Sequence, residues 1–200
     1  MTVPTTTLRE LLGLSLAPSA LSTSALILID CQNTYREGVM QLEGVEEALV
    51  ECRKLLERAR SAQIPIFHIQ HDAGAGSPYD INAPIGAISD LVAPQAGEVV
   101  ITKHYPNSFI GTELEQRLKE QGINQLILAG FMTHMCINST AHGGFNLGYS
   151  CTVVASATAT RGLLAANGEA VSAQVVQDGA IASTRDLYAA IADTVEDIPS

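Results

Sequence analysis

Short apolar runs alternate along this chain with longer amphipathic segments, and that alternation leaves few folds open to it. "ALILID" (25–30), "PIFHIQ" (65–70), "EVVITK" (98–103), "NQLILAG" (124–130) and "CTVVASA" (151–157) each have the length of a strand. "ALILID" is apolar almost throughout, as a strand buried on both faces of a parallel sheet must be. Helical stretches separate the runs. Residues 45–63 set Val45, Ala48, Leu49, Cys52, Leu55, Leu56 and Ala59 on one stripe. Residues 112–122 end at Gly122, a helix stop signal, and 133–147 and 171–191 read as two further helices. "DTVEDI" (193–198) is expected to be a short closing strand. Strands separated by helices join in parallel through right-handed crossovers. The predicted fold is α/β, three layers with helices on both faces of a parallel sheet.

The 200 residues suit one such domain, 25–200, preceded by an arm over residues 1–24. On the arm "TLRE" (7–10) matches a capping box and predicts a short helix. Its "LRELLGLSLA" (8–17) carries more apolar surface than a free tail should, so a homo-oligomer is expected. A net charge of −10 argues against nucleic acid and anionic membrane as partners, since both need a basic face. No apolar run has the roughly 20 residues of a membrane helix, and no basic leader precedes the first apolar patch. Cys31, Cys52, Cys136 and Cys151 show neither metal nor redox spacing, so reduced thiols in a cytoplasmic protein are the expectation.

In open α/β sheets, ligands bind beyond the carboxyl ends of the strands. Asp30 and Lys103 stand at two such ends, and Cys136 lies just past a third. Singly, each has an ordinary reading: a turn-capping acid, a solvated lysine, a core cysteine. Together they supply thiol chemistry. An ammonium and a helix N-terminus favour a thiolate, while a carboxylate can accept the thiol proton and return it. The same carboxylate opposes a second negative charge, which leaves a proton shared with Asp30 as the alternative. Gln32, Tyr35, Tyr105 and Phe109 are candidates for the wall of a small-molecule pocket or for packing. His71 and His134 are candidates for substrate contact or for loop capping. The loop over 71–97, rich in Gly, Pro, Asp and Ser, is long enough to be functional, and substrate choice is expected to reside there.

"LILIDCQNTY" (26–35), "VVITKHYPNSFIGTEL" (99–114) and "LILAGFMTHMCINSTAHGGFNLGY" (126–149) resemble the isochorismatase-like cysteine hydrolases, a superfamily that includes nicotinamidases and N-carbamoylsarcosine amidohydrolases. The resemblance runs from about Ala25 to Thr160. It implies a six-stranded parallel sheet in the Rossmann-like order 3-2-1-4-5-6 and a catalytic triad of Asp30, Lys103 and Cys136. It also implies a cis peptide at Phe131–Met132, which turns the Met132 N–H toward the site beside that of Cys136 to form an oxyanion hole. The implied reaction is hydrolysis of a C–N bond in a small amide, carbamoyl or related compound through a thioester. In that order Lys103 starts about 10 Å of sheet away from Asp30 and must lean inward to reach it.

Nicotinamidases of this superfamily carry an Asp-x-His metal motif after the second strand. Here the corresponding stretch is "HIQHDAGAG" (68–76), so neither metal nor other cofactor is expected. Isochorismatases proper cleave a vinyl ether without a cysteine nucleophile, and Cys136 argues against that reaction. Vinyl-ether hydrolysis and a binding or assembly protein that has lost turnover remain the alternatives.

Overall fold

The computed structural model describes residues 5–200; the first four residues of the expected arm lie outside the described residues. A short helix α1 (Leu8–Leu11) precedes strand β1 (Ala25–Ile29), and α2 (Val45–Ser61) leads to β2 (Ile66–His71). Then come β3 (Val99–Lys103), α3 (Leu114–Glu120), β4 (Gln125–Phe131), α4 (Asn138–Asn146) and β5 (Ser150–Ala159). A small hairpin, β6 (Leu163–Leu164) and β7 (Ala170–Val171), leads into α5 (Ala173–Leu187) and the last strand, β8 (Ala189–Ala192). Six of these strands form one sheet in the order β3-β2-β1-β4-β5-β8. Every pairing within it is parallel.

Burial follows from the two-residue period of a strand. Leu26 and Leu28 of β1 face the side that α2 covers, where Leu49, Cys52, Leu55 and Leu56 pack. Ala25, Ile27 and Ile29 face the other side, with Leu114 and Leu118 of α3 and Ala141 of α4. The expected stripe on α2 is buried in full.

The C-terminal boundary differs from the expectation. The sixth strand is Ala189–Ala192, not 193–198, and the preceding helix stops at Leu187 instead of continuing to 191. Three alanines read as helix by propensity. Their small side chains are instead buried in the sheet, where Cys151–Val154 pair with Ala189–Ala192. Tertiary pairing overrides propensity there. The acidic residues that follow leave the sheet, and the Thr194 hydroxyl and Asp197 carboxylate cap a tight turn over Val195–Asp197.

On the arm, the Thr7 capping box forms as expected. Arg9 anchors the arm to the end of α5, donating from Nη1 to the Leu187 carbonyl and from Nε and Nη2 to that of Ser15. Leu11 and Leu12 stay exposed.

Candidate active site

The carboxyl edge of the sheet is shaped by close backbone contacts. Gly130 of β4 has φ +115°, and a Cβ there would lie 2.0 Å from the Ile29 carbonyl oxygen. No other residue allows β1 and β4 to approach so closely at that point. Beyond β1 the chain turns through Asp30, which takes a left-handed φ of 51°, a region where Asp is among the better-tolerated residues. Beyond β4 the Phe131–Met132 peptide is cis. A wide turn over Thr133–Ile137 follows, in which the Met132 carbonyl accepts from the N–H groups of both Met135 and Ile137. Cys136 lies inside this π-helical turn. It is therefore not in the first turn of an α-helix, as the sequence suggested, but two residues before α4 begins. π-turns of this kind recur at functional sites.

Lys103 joins the pieces. Its Nζ donates to Asp30 Oδ2 at 2.7 Å and to the Cys136 Sγ at 3.4 Å, and lies 3.2 Å from His71 Nδ1. The side chain does lean inward across β2. Asp30 and Lys103 are wholly buried, and Cys136 is 5% exposed. Burial raises the Asp30 carboxyl above its ordinary value, and Lys103 limits the rise. Burial and then Asp30 push the Cys136 thiol well up, against a smaller opposing pull from Lys103. The resting site therefore holds a protonated thiol beside an Asp30–Lys103 ion pair, not the free thiolate that a lysine and a helix terminus were expected to favour. Asp30 Oδ1, the carboxylate oxygen that Lys103 does not contact, has no hydrogen-bond partner. A thiol, a raised carboxyl able to take its proton and a fixed ammonium are the parts of a nucleophilic site.

The other candidates separate into groups. Gln32 is wholly buried, and its amide is used on the backbone: Nε2 donates to the carbonyls of His71 and Gly86, and Oε1 accepts from the His71 N–H. Tyr35 is buried between Phe131 and Tyr79, edge-on to both, and burial followed by Asp30 raises its phenol. His71 stands beside Lys103, and burial and then the Lys103 charge lower it to about 4. Phe109 takes a packing position, stacked on Tyr149 in the core on the α3–α4 side. Tyr105 is exposed. His134 shares a hydrogen bond with the Thr160 hydroxyl. Among the described residues, no group of three or more His, Cys, Asp or Glu side chains could hold a metal ion.

Comparison with known proteins decides the family. The sequence profile of the isochorismatase domain matches residues 24–194. The chain belongs to the isochorismatase family. A crystal structure of an isochorismatase from Pseudomonas putida KT2440 superposes on it with a TM-score of 0.93 at 35% identity, covering 98% of this chain and 100% of that one. The secreted isochorismatase effector Isc1 of Verticillium dahliae is 32% identical over 185 residues, 90% of this chain and 97% of its own length. The ureidoacrylate amidohydrolase RutB of Stutzerimonas stutzeri is 29% identical over 173 residues, 68% of this chain and 70% of its own.

The chain is thus an isochorismatase-family hydrolase. With a secreted relative in the family, reduced thiols do not by themselves assign it to the cytoplasm. Among the described residues, no helix is long and apolar enough to cross a membrane. Two residues of this family member's site were not singled out from sequence. Tyr79, in the middle of the 71–97 loop, sets its ring edge-on to both His71 and Tyr35, with centroids 5.0 and 5.8 Å apart. Arg161, just past β5, has a buried Nε without a partner, and its charge reaches both Tyr79 and His134. Arg161 had a legible signal, since it follows the carboxyl end of a strand. Tyr79 had none, because nothing in "SPYDIN" shows how that loop folds back.

Proposed function

We propose that this chain is a cysteine-dependent hydrolase of a C–N bond in a small amide, carbamoyl or ureido compound. The observation that carries this reading is one lysine Nζ within contact of both a buried carboxylate and a cysteine thiol. Cys136 Sγ attacks the substrate carbonyl carbon as its proton passes to Asp30. The N–H groups of Met132 and Cys136 receive the developing oxyanion. Collapse breaks the C–N bond, and Asp30 returns the proton to the departing amine. Water then gives a proton to Asp30 and hydroxide to the thioester carbon, releasing the acid and restoring the thiol. Lys103 keeps Asp30 ionised until the thiol gives up its proton.

The ureidoacrylate in RutB's name supports a ureido substrate, and Arg161, whose charge reaches Tyr79 and His134, offers a nearby cation for an acidic one. The test is ammonia release from a panel of small amides and ureido acids. Cys136→Ala should lower turnover of any accepted compound at least a thousandfold, with the protein still folded. Unchanged release from that variant would overturn the mechanism. The name of the Verticillium relative favours a second reading, vinyl-ether cleavage. Pyruvate release from isochorismate tests it, since that reaction should survive in Cys136→Ala.

A further inference from the structure

His71 is built into the site more firmly than a chance neighbour of Lys103 would be. It closes β2 directly opposite Lys103 in the β2–β3 register. Its backbone N–H and carbonyl are both tied to the one Gln32 amide. Its ring is held edge-on against Tyr79. A buried glutamine and a loop tyrosine thus fix both the main chain and the plane of one imidazole.

The chemistry of the neighbour then fixes the tautomer. In the Lys103–Asp30 ion pair the lysine is an ammonium, which carries donors only. His71 Nδ1, 3.2 Å from that ammonium, must present its lone pair. At neutral pH the ring is uncharged, because burial and the Lys103 charge hold it at about 4. Its single proton therefore sits on Nε2. Among the described residues, no acceptor lies within hydrogen-bond distance of that N–H, and the atom is not among the buried polar groups. The donor is open to solvent, one imidazole width from an ammonium that touches the thiol.

We propose that His71 is a substrate-contacting specificity residue, whose Nε2–H, set by the Lys103 contact to Nδ1, selects compounds bearing an oxygen acceptor beside the carbon that Cys136 attacks. This rests on Cys136 being the nucleophile, and it adds a role for the end of β2 that the attack itself does not need. His71 acts through its far nitrogen on the substrate and through its near nitrogen only on its own orientation. Two substitutions separate those edges. His71→Asn keeps an acceptor near the Nδ1 position and removes the far N–H. His71→Gln places an amide N–H near the Nε2 position and gives up the contact to Lys103.

Two alkylating probes of Cys136 make the test independent of any substrate. Iodoacetamide has a carbonyl oxygen next to its reacting carbon, and iodoethane has none. Rates at Cys136 are read by peptide mapping on folded protein at pH 7.5, with folding of each variant confirmed by circular dichroism. His71→Asn should lower the iodoacetamide-to-iodoethane rate ratio about tenfold, the size of one hydrogen bond, while leaving the iodoethane rate and its pH profile within twofold. His71→Gln should keep the ratio within about threefold of the wild type. An unchanged ratio in His71→Asn overturns the proposal. So does an equal slowing of both reagents, which would make His71 a support for Lys103 alone. If neither reagent labels Cys136 in the wild type, the nucleophile assignment fails first. Labelling with an unmoved ratio sinks only the role of His71.

Discussion

Lys103 shows what can and cannot be read at the scale of a residue. Its place at the end of a strand was legible, as were those of Asp30 and Cys136, because reactive groups gather at the carboxyl edge of such sheets. Its reach was not, since nothing in "VVITKHY" says which way a long side chain bends. The structure makes Lys103 wholly buried, with its charge neutralised by Asp30 at 2.7 Å. Removing one partner of a buried pair strands the other, at a cost of about 3–5 kcal/mol, whereas removing both can be nearly neutral. Lys103→Met should therefore lose about that much stability in urea unfolding and all measurable turnover. Adding Asp30→Asn should return most of the stability and none of the turnover. A Lys103→Met protein as stable as the wild type would mean that the pair does not neutralise itself as described.

At the scale of elements, the sequence was most informative where pattern and environment agree. The α2 stripe and the runs that became β1 to β5 are set by burial, which composition reports directly. β8 failed because alanine is a helix former whose pairing with β5 is a tertiary fact. The wide turn at Cys136 failed for a related reason: "THMCINST" has an acceptable helical pattern, and only the fixed end of β4 forces it open. Gly130 is the residue on which that end depends. An alanine there needs a left-handed φ and brings its Cβ to 2.0 Å from the Ile29 carbonyl, so β1 and β4 must part beside both Asp30 and the turn. Gly130→Ala should cost more than about 2 kcal/mol in urea unfolding and abolish turnover even where the protein still folds. An active variant of wild-type stability would show that β1 and β4 need not lie so close.

For the molecule as a whole, parallel order and the position of the site followed from alternation and resemblance, but the electrostatic balance of the interior did not. His68, His71, His134 and His142 all sit below the ordinary value of 6.5, burial being the first cause for each. A group whose folded value is depressed takes up its proton sooner in the unfolded chain, so stability falls as pH falls through the unfolded value. For these histidines the loss begins near pH 6.5 and, for His71, runs to about 4. Glu98 extends the loss from its ordinary 4.5 to about 2. Burial works against its carboxylate, but Arg60, the Gln95 N–H and His68 together hold it ionised. Asp30 has the opposite sign: its raised carboxyl keeps a proton that the unfolded chain has released, which favours the fold as pH drops toward 3.8. That gain comes from one group, against four histidines whose shifts have the other sign. Unfolding free energy should therefore be lower at pH 5 than at pH 7.5, with His71 alone contributing about 1–2 kcal/mol after allowance for solvent screening of its half-open ring. His68→Gln, which keeps an amide toward Glu98 and removes one titration, should narrow that difference. Urea titrations at the two pH values decide the matter: equal stability at both would mean that these histidines charge as readily in the fold as in water.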